Sequence, residues 1–187
     1  MQKAFEESIT VKQKSLSVNL ESIEKCVKSM VKALKRKKKI LIFGNGGSAA
    51  DSQHIAAEFI GRFLKERQSL PAIALTTDTS IITALGNDYG FDVIFARQIE
   101  GLGQKGDIAI GISTSGNSQN VIKGITQAGK QGLLTVSLTG CHGGKLAKLT
   151  DISIIVPSNM TPRIQETHAC IAHIICDLVE CEFYQNK

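Results

Sequence analysis

His54 and Glu58 stand four residues apart, the spacing that puts two side chains on one face of a helix. An imidazole and a carboxylate so placed can bind one metal ion, or act as an acid and a base. A second imidazole, His173, comes late in the chain, eight residues after Gln165 in the run that opens Arg163-Ile164-Gln165-Glu166-Thr167-His168. Eight helical residues rise about 12 Å. Gln165 and His173 therefore serve one centre only if the site lies between them or one of them comes from a neighbouring protomer. His168 reads as a surface or capped histidine and His142 as a loop residue. Cys141-His142 has no partners that would make a metal site.

Two loops look built for an anion. The first is Gly44-Asn45-Gly46-Gly47-Ser48-Ala49-Ala50. Its glycines let backbone approach a ligand closely, Ser48 can cap the helix that follows, and the free N–H groups of that first turn favour negative charge. The same residues read G-x-G-x-x-A, a loose dinucleotide fingerprint. The acidic residue expected about 20 positions on is missing, and Asp78 lies too far along. The second loop is Ser113-Thr114-Ser115-Gly116-Asn117-Ser118, ahead of a helix expected from about Gln119. Hydroxyls and backbone N–H groups there can satisfy several phosphate oxygens without a lysine. No G-x-x-x-x-G-K-[ST] occurs, so a nucleoside triphosphate is disfavoured.

Five short apolar runs must carry these loops: Ile40–Phe43, Ala72–Leu75, Ile108–Ile112, Leu133–Leu138 and Ile152–Val156. They are β-branched and nearly continuous, as strands covered on both faces are, and helical patterns lie between most of them. That pattern predicts βαβ units and a mainly parallel sheet, with both loops at carboxyl ends of strands, where ligands bind. Ahead of the first strand, Ile9, Leu16, Leu20, Ile23, Val27, Met30 and Leu34 keep helical spacing. A helix that long exceeds what a small sheet needs, and its simplest use is packing against another subunit. A second long helix is expected from about Arg163 to Tyr184.

The 187 residues form one domain, with 42% hydrophobic and 21% charged residues. No run suits a membrane helix and the N-terminus has no apolar leader region, so the expectation is a cytoplasmic protein. The five cysteines, an odd number without a C-x-x-C pair, read as free thiols. Net charge is +5, much of it in Lys35-Arg36-Lys37-Lys38-Lys39. That run is read as the solvated end of a helix, where cations suit the dipole, and not as a nucleic-acid patch.

Several segments together resemble the phosphoheptose isomerases of the sugar isomerase (SIS) family, over essentially the whole chain. They are Gly44–Ser48, His54–Arg62, Gly86-Asn87-Asp88, Ser113–Ser118, Leu138-Thr139-Gly140, and Arg163–Glu166 with His173 behind. The resemblance implies a three-layer α/β/α, flavodoxin-like fold on a five-stranded parallel sheet. Residues 1–37 would be a helical extension for oligomerisation, in a homotetramer with active sites at subunit contacts. It implies that Asn45, Gly46, Gly47, Ser48, Asn87, Asp88 and Gln165 contact substrate, and that Ser113, Thr114, Ser115 and Ser118 hold a 7-phosphate. His54, Glu58, Gln165 and His173 match positions that bind zinc. Glu58 is then the expected base, also touching substrate, and His173 the acid. The implied reaction turns D-sedoheptulose 7-phosphate into D-glycero-D-manno-heptose 7-phosphate, the first step toward nucleotide-activated heptose for lipopolysaccharide core or capsule. Ala49-Ala50 and Pro162 stand where some relatives carry His-Cys and Asp. A sister branch of the family binds the replication initiator without catalysis; the joint presence of Glu58 and His173 favours the enzyme.

Overall fold

The computed structural model describes residues 1–184. Strands β1 (Ile40–Gly44), β2 (Ala72–Ala74), β3 (Ile108–Ser113), β4 (Leu134–Gly140) and β5 (Ile152–Val156) make one parallel sheet, ordered β2-β1-β3-β4-β5. The helices are α1 (Gln2–Lys35), α2 (Gly47–Ile60), α3 (Thr79–Tyr89), α4 (Ile94–Leu102), α5 (Gln119–Lys130) and α6 (Thr161–Tyr184). From β1 the chain first steps outward to β2, then crosses back over β1 to β3 and continues to β5. The order reverses between β1 and β3, and the crevice opened there at the carboxyl ends of the two strands is where such folds bind ligands. Both glycine- and serine-rich loops leave from those two ends.

Period-2 side-chain alternation splits the core into two layers. Ile40, Ile42, Ile108, Ile110 and Ile112 face α1, α2 and α6, while Leu41, Phe43 and Ala109 face α4 and α5. On the second face the packing is close enough to require glycine. A Cβ on Gly124 of α5 would sit 2.7 Å from the Phe43 ring, and one on Gly111 of β3 would sit 2.9 Å from Val121. This contact fixes α5, and with it the loop that precedes it. Strands β1 and β3 are buried throughout, as expected of two-sided cover. The edges differ: Ile73 of β2 is 38% exposed and β5 alternates buried with half-buried residues, because an edge strand lacks full helical cover.

Helix α1 is about 50 Å long at 1.5 Å per residue, and its apolar stripe divides. Ile23, Val27, Met30 and Leu34 are buried on the sheet, whereas Phe5, Ile9, Leu16 and Leu20 are each more than half exposed. Midway, Asn19 performs a strand's task. Its amide donates to Ile155 O at 2.9 Å and its carbonyl accepts from Ile155 N–H at 2.8 Å, so it closes part of the open edge of β5. Replacing it by leucine leaves two backbone groups of the edge strand unpaired. We expect Asn19→Leu to cost about 2 to 4 kcal/mol, read as a lower urea midpoint; an unchanged midpoint would show that water serves those groups equally well.

Candidate active site

Helix α2 begins at Gly47 because Gly46 takes φ 53°, a conformation open to glycine, and acts as its cap. Ser48 is therefore not the cap expected from the sequence. It lies one residue inside the helix, buried, with its N–H bonded to Asn45 O. Two turns further along α2 come His54 and Glu58, with Nε2 and Oε1 3.5 Å apart. Helix α6 brings His173 to the same spot, its Nε2 2.8 Å from that of His54. One imidazole donates and the other accepts. Ligand atoms of all three residues lie within 4.8 Å of one another. The Phe63 ring packs against the His173 ring at 5.5 Å. The amide of Gln165 lies over Gly47, at the mouth of the first loop, where any larger residue would collide with it.

At the second loop, Ser118 occupies the cap position of α5, yet its hydroxyl makes no cap bond. It pairs with the Ser113 hydroxyl at 3.0 Å; Val121 N–H is taken by the Asn120 side chain, and the N–H groups of Gln119 and Asn120 precede the intrahelical ladder. Thr114 is half-buried and Ser115 exposed. The loop is pinned from outside: Gly140 N–H donates to Thr114 O, Leu146 N–H to Gly116 O and Lys145 N–H to Asn117 Oδ1. Gly116, at φ +66°, has no room for a Cβ beside Gly143 O. The result is a loop of fixed shape at the carboxyl end of β3.

A reciprocal amide pair, unseen in the sequence, ties the loops together. Asn45 and Asn120 exchange two hydrogen bonds of 2.8 Å across the switch point. Nothing marks Asn120 as special beyond its place in the first turn of α5. Asn87 and Asp88 are brought only to each other, at 2.8 Å on exposed α3, and not to the loops of their own chain. Asp78, considered as a ribose ligand and set aside, caps α3 by accepting from Ile81 N–H.

His168 is a correction. It is 1% exposed, not a surface residue, because α6 packs it onto the end of β4. Burial pushes its imidazole down to about 4, against the pull of its bond to Thr139 O. It is therefore neutral, and Nε2–H donates to that carbonyl at 3.0 Å. Asp51, one turn before His54, is pushed up by burial, partly offset by His54, and its Oδ2 is buried without a protein partner.

Comparison with known proteins now bears on this geometry. The SIS domain family matches residues 4–140. A phosphoheptose isomerase of Nitratiruptor sp. is 60% identical over 153 residues, 82% of each chain. That of Aquifex aeolicus is 55% identical over 96% of this chain and 94% of its own. The solved phosphoheptose isomerase of Neisseria gonorrhoeae superposes with a TM-score of 0.91 at 44% identity, covering 96% of both chains. The chain belongs to the phosphoheptose isomerases of the SIS family.

What holds the cluster of this family member in register is a buried ion pair behind it. The Glu180 carboxylate accepts from the backbone N–H groups of Phe63, Leu64 and Lys65 and from Arg67 Nε. Arg67 in turn donates to the carbonyls of Phe59 and Glu58. Both side chains are at most 2% exposed. Burial pushes the Glu180 carboxyl up, but the Leu64, Lys65, Arg67 and Phe63 donors outweigh it and bring it down to about 2 from 4.5. A depressed acid stabilises the fold above its unfolded pKa and ceases to do so as pH falls through the folded one. The melting temperature should therefore drop between pH 4.5 and pH 2. Glu180→Gln should flatten that drop and cost about 3 to 5 kcal/mol at neutral pH. Parallel pH profiles for the two proteins would refute the assignment.

Proposed function

We propose that this protein isomerises D-sedoheptulose 7-phosphate to D-glycero-D-manno-heptose 7-phosphate. The observation that carries this reading is the convergence of His54, Glu58 and His173 in a chain whose relatives bear the phosphoheptose isomerase name. Seven residues of α2 rise about 10 Å from Gly47 to His54, a span suited to an extended sugar phosphate. We assign the 7-phosphate to Ser113, Thr114, Ser115 and Ser118, and the sugar hydroxyls to Asn45, Gly46, Gly47, Ser48 and Gln165. Asn87 and Asp88 lie on exposed α3. In the homotetramer we infer, they complete the site of a neighbouring copy.

The chemistry needs one base near carbon and one group serving the oxygens. Glu58 takes a proton from C1 of the ketose, and the electron pair moves into a C1–C2 double bond as O2 gains a proton. His173 gives O2 that proton and accepts one from O1. Glu58 then returns its proton to C2, leaving an aldehyde at C1. Two imidazoles and a carboxylate are ordinary zinc ligands and their ligand atoms here are close enough to share an ion. Zinc held by His54, Glu58 and His173, with Gln165 as a further donor, would supply a Lewis acid for the substrate oxygens. A cytoplasmic setting suits the five free thiols. The product would feed nucleotide-activated heptose synthesis for lipopolysaccharide or capsule.

The deciding measurement is turnover of sedoheptulose 7-phosphate with added zinc. Glu58→Gln and His173→Gln should each lower kcat by roughly 100-fold or more, whereas Ser113→Ala should act chiefly on KM. Wild type without turnover would sink the reading.

The uncovered apolar stripe of α1 supports the oligomer, since Phe5, Ile9, Leu16 and Leu20 together exceed the scattered exposure usual for a monomer. Leu16→Lys with Leu20→Lys should lower the mass seen by light scattering below four chains while the circular dichroism stays helical. An unchanged mass would place the interface elsewhere.

A further inference from the structure

At the opposite end of the sheet from the active site lies a cleft of about 410 Å³, lined by Ser29, Lys32, Ala33, Arg36, Lys38, Lys105, Gly106, Ile108 and Leu134. It opens at the amino ends of β3 and β4, the length of a strand away from the phosphate loops, roughly 16 Å. Four of its lining residues are cations and none is acidic. Some basic side chains elsewhere pair with carboxylates, among them Lys39 with Asp107 and Arg67 with Glu180, and others, such as Lys3, Lys14 and Lys130, do not, so what sets this place apart is the gathering of four cations in one concavity. Among the described residues, Lys32, Arg36, Lys38 and Lys105 have no such partner. The nearest buried acid, Asp107, is fully engaged by Lys39 and by the N–H of Gln104. Like charges gathered in one concave place without compensation repel one another, a cost that a bound anion would remove.

The helix dipole does not account for this cluster. Lys32 and Arg36 do sit at the carboxyl end of α1, where cations are favoured. Lys105 belongs to the turn before β3 and owes nothing to that helix. Lys38 reaches the cleft by an unusual route. Helix α1 ends in a Schellman motif, Lys38 N–H to Ala33 O and Lys37 N–H to Leu34 O, with Lys37 at φ 59° in the position where glycine is the norm. The chain accepts a left-handed lysine there and so turns Lys38 back over the sheet end. The stems of Lys38 and Lys105 then lie across Gly106 and Gly132, two left-handed glycines joined by a 3.0 Å hydrogen bond. The cleft is thus a built concavity whose lining is mostly apolar, from Ala33, Ile108, Leu134 and the stems of the lysines.

We propose that this cleft binds a small molecule carrying a diphosphate, with its organic part against the apolar wall. Four cations match the charge of two adjacent phosphates, and a cleft of this volume takes a compact ligand better than a nucleic-acid duplex. The site is separate from catalysis, so its occupancy is read by binding and not by turnover.

The test is calorimetric titration of the full-length protein with pyrophosphate and with ADP at low salt. Both should bind once per chain, ADP more tightly, and excess sedoheptulose 7-phosphate should not displace either. Lys38→Gln with Lys105→Gln should weaken both by roughly ten-fold or more while melting temperature and isomerase kinetics stay as in wild type. Arg36→Gln should act in the same direction through an exposed side chain that no fold contact requires. Three results would overturn the proposal. They are no binding of either anion, binding that sugar phosphate displaces or the lysine variants leave unchanged, and a single-stranded oligonucleotide that outcompetes ADP through the same lysines.

Discussion

The active-site cluster depends on the Glu180 carboxylate more than on any contact within the cluster itself. His54 and Glu58 ride on α2, His173 on α6, and these helices meet over the sheet without sharing a loop. Their relative position must be fixed by something stiffer than apolar packing, which tolerates sliding by fractions of an ångström. Glu180 supplies four directed bonds into the segment just after α2, and Arg67 carries the constraint on to the carbonyl of Glu58. A 2.8 Å approach between two imidazole nitrogens follows from that register. Low local dielectric strengthens such a network and also makes it unforgiving, because each buried donor left without its acceptor pays its full desolvation.

The rest of α6 is anchored by different means along its length, and each anchor sets one functional residue. Near its start, Arg163 binds both Glu166 and the carbonyl of Ala4, so α1 and α6 are joined before Gln165. In the middle, neutral His168 holds the carbonyl of Thr139 at the end of β4. At the far end stands Glu180. Between the first two anchors Gln165 is held over Gly47; between the last two His173 is held against α2. The eight-residue separation that looked awkward for one metal centre thus spreads α6 along the whole crevice, one end at the glycine loop and the other at the cluster.

How much of this could be read from the sequence follows from where the information lies. Strands β1 and β3 and the loops after them were legible because apolar runs and Gly/Ser clusters are local signals. The His54–Glu58 pair was legible because i, i+4 spacing fixes a shared face. Ser48 misled because a serine ahead of a helix resembles a cap, and only the φ of Gly46 puts the cap two residues earlier. His168 misled because a polar residue in an amphipathic stretch reads as solvent-facing, while its acceptor, Thr139, lies 29 residues away. Glu180 and Arg67 carried no signal at all. Glu180 accepts from backbone N–H groups more than 100 residues away and Arg67 donates to backbone carbonyls, and backbone groups have no letter in a sequence. Asn19 was hidden for the same reason. The family resemblance supplied roles for Asn87 and Asp88 that neither the sequence pattern nor the single chain's contacts could supply.

The two ends of the sheet illustrate one physical rule applied in opposite ways. At the carboxyl ends, the loops to which we assign the phosphate carry neutral groups, backbone N–H donors, hydroxyls and a helix start, with Gly116 and the Asn45–Asn120 pair holding their shape. Neutral donors stay in place when no ligand is bound because they do not repel one another, and they leave the charge balance of nearby acid and base groups undisturbed. A lysine set beside Glu58 would instead favour its ionised form and weaken it as a base. At the amino ends no proton is being moved, and charge can be concentrated freely in Lys32, Arg36, Lys38 and Lys105. The distribution of cations in this chain, with net charge +5 yet no lysine in either strand-to-helix loop, is what proton-transfer chemistry at one end and simple anion attraction at the other would each require.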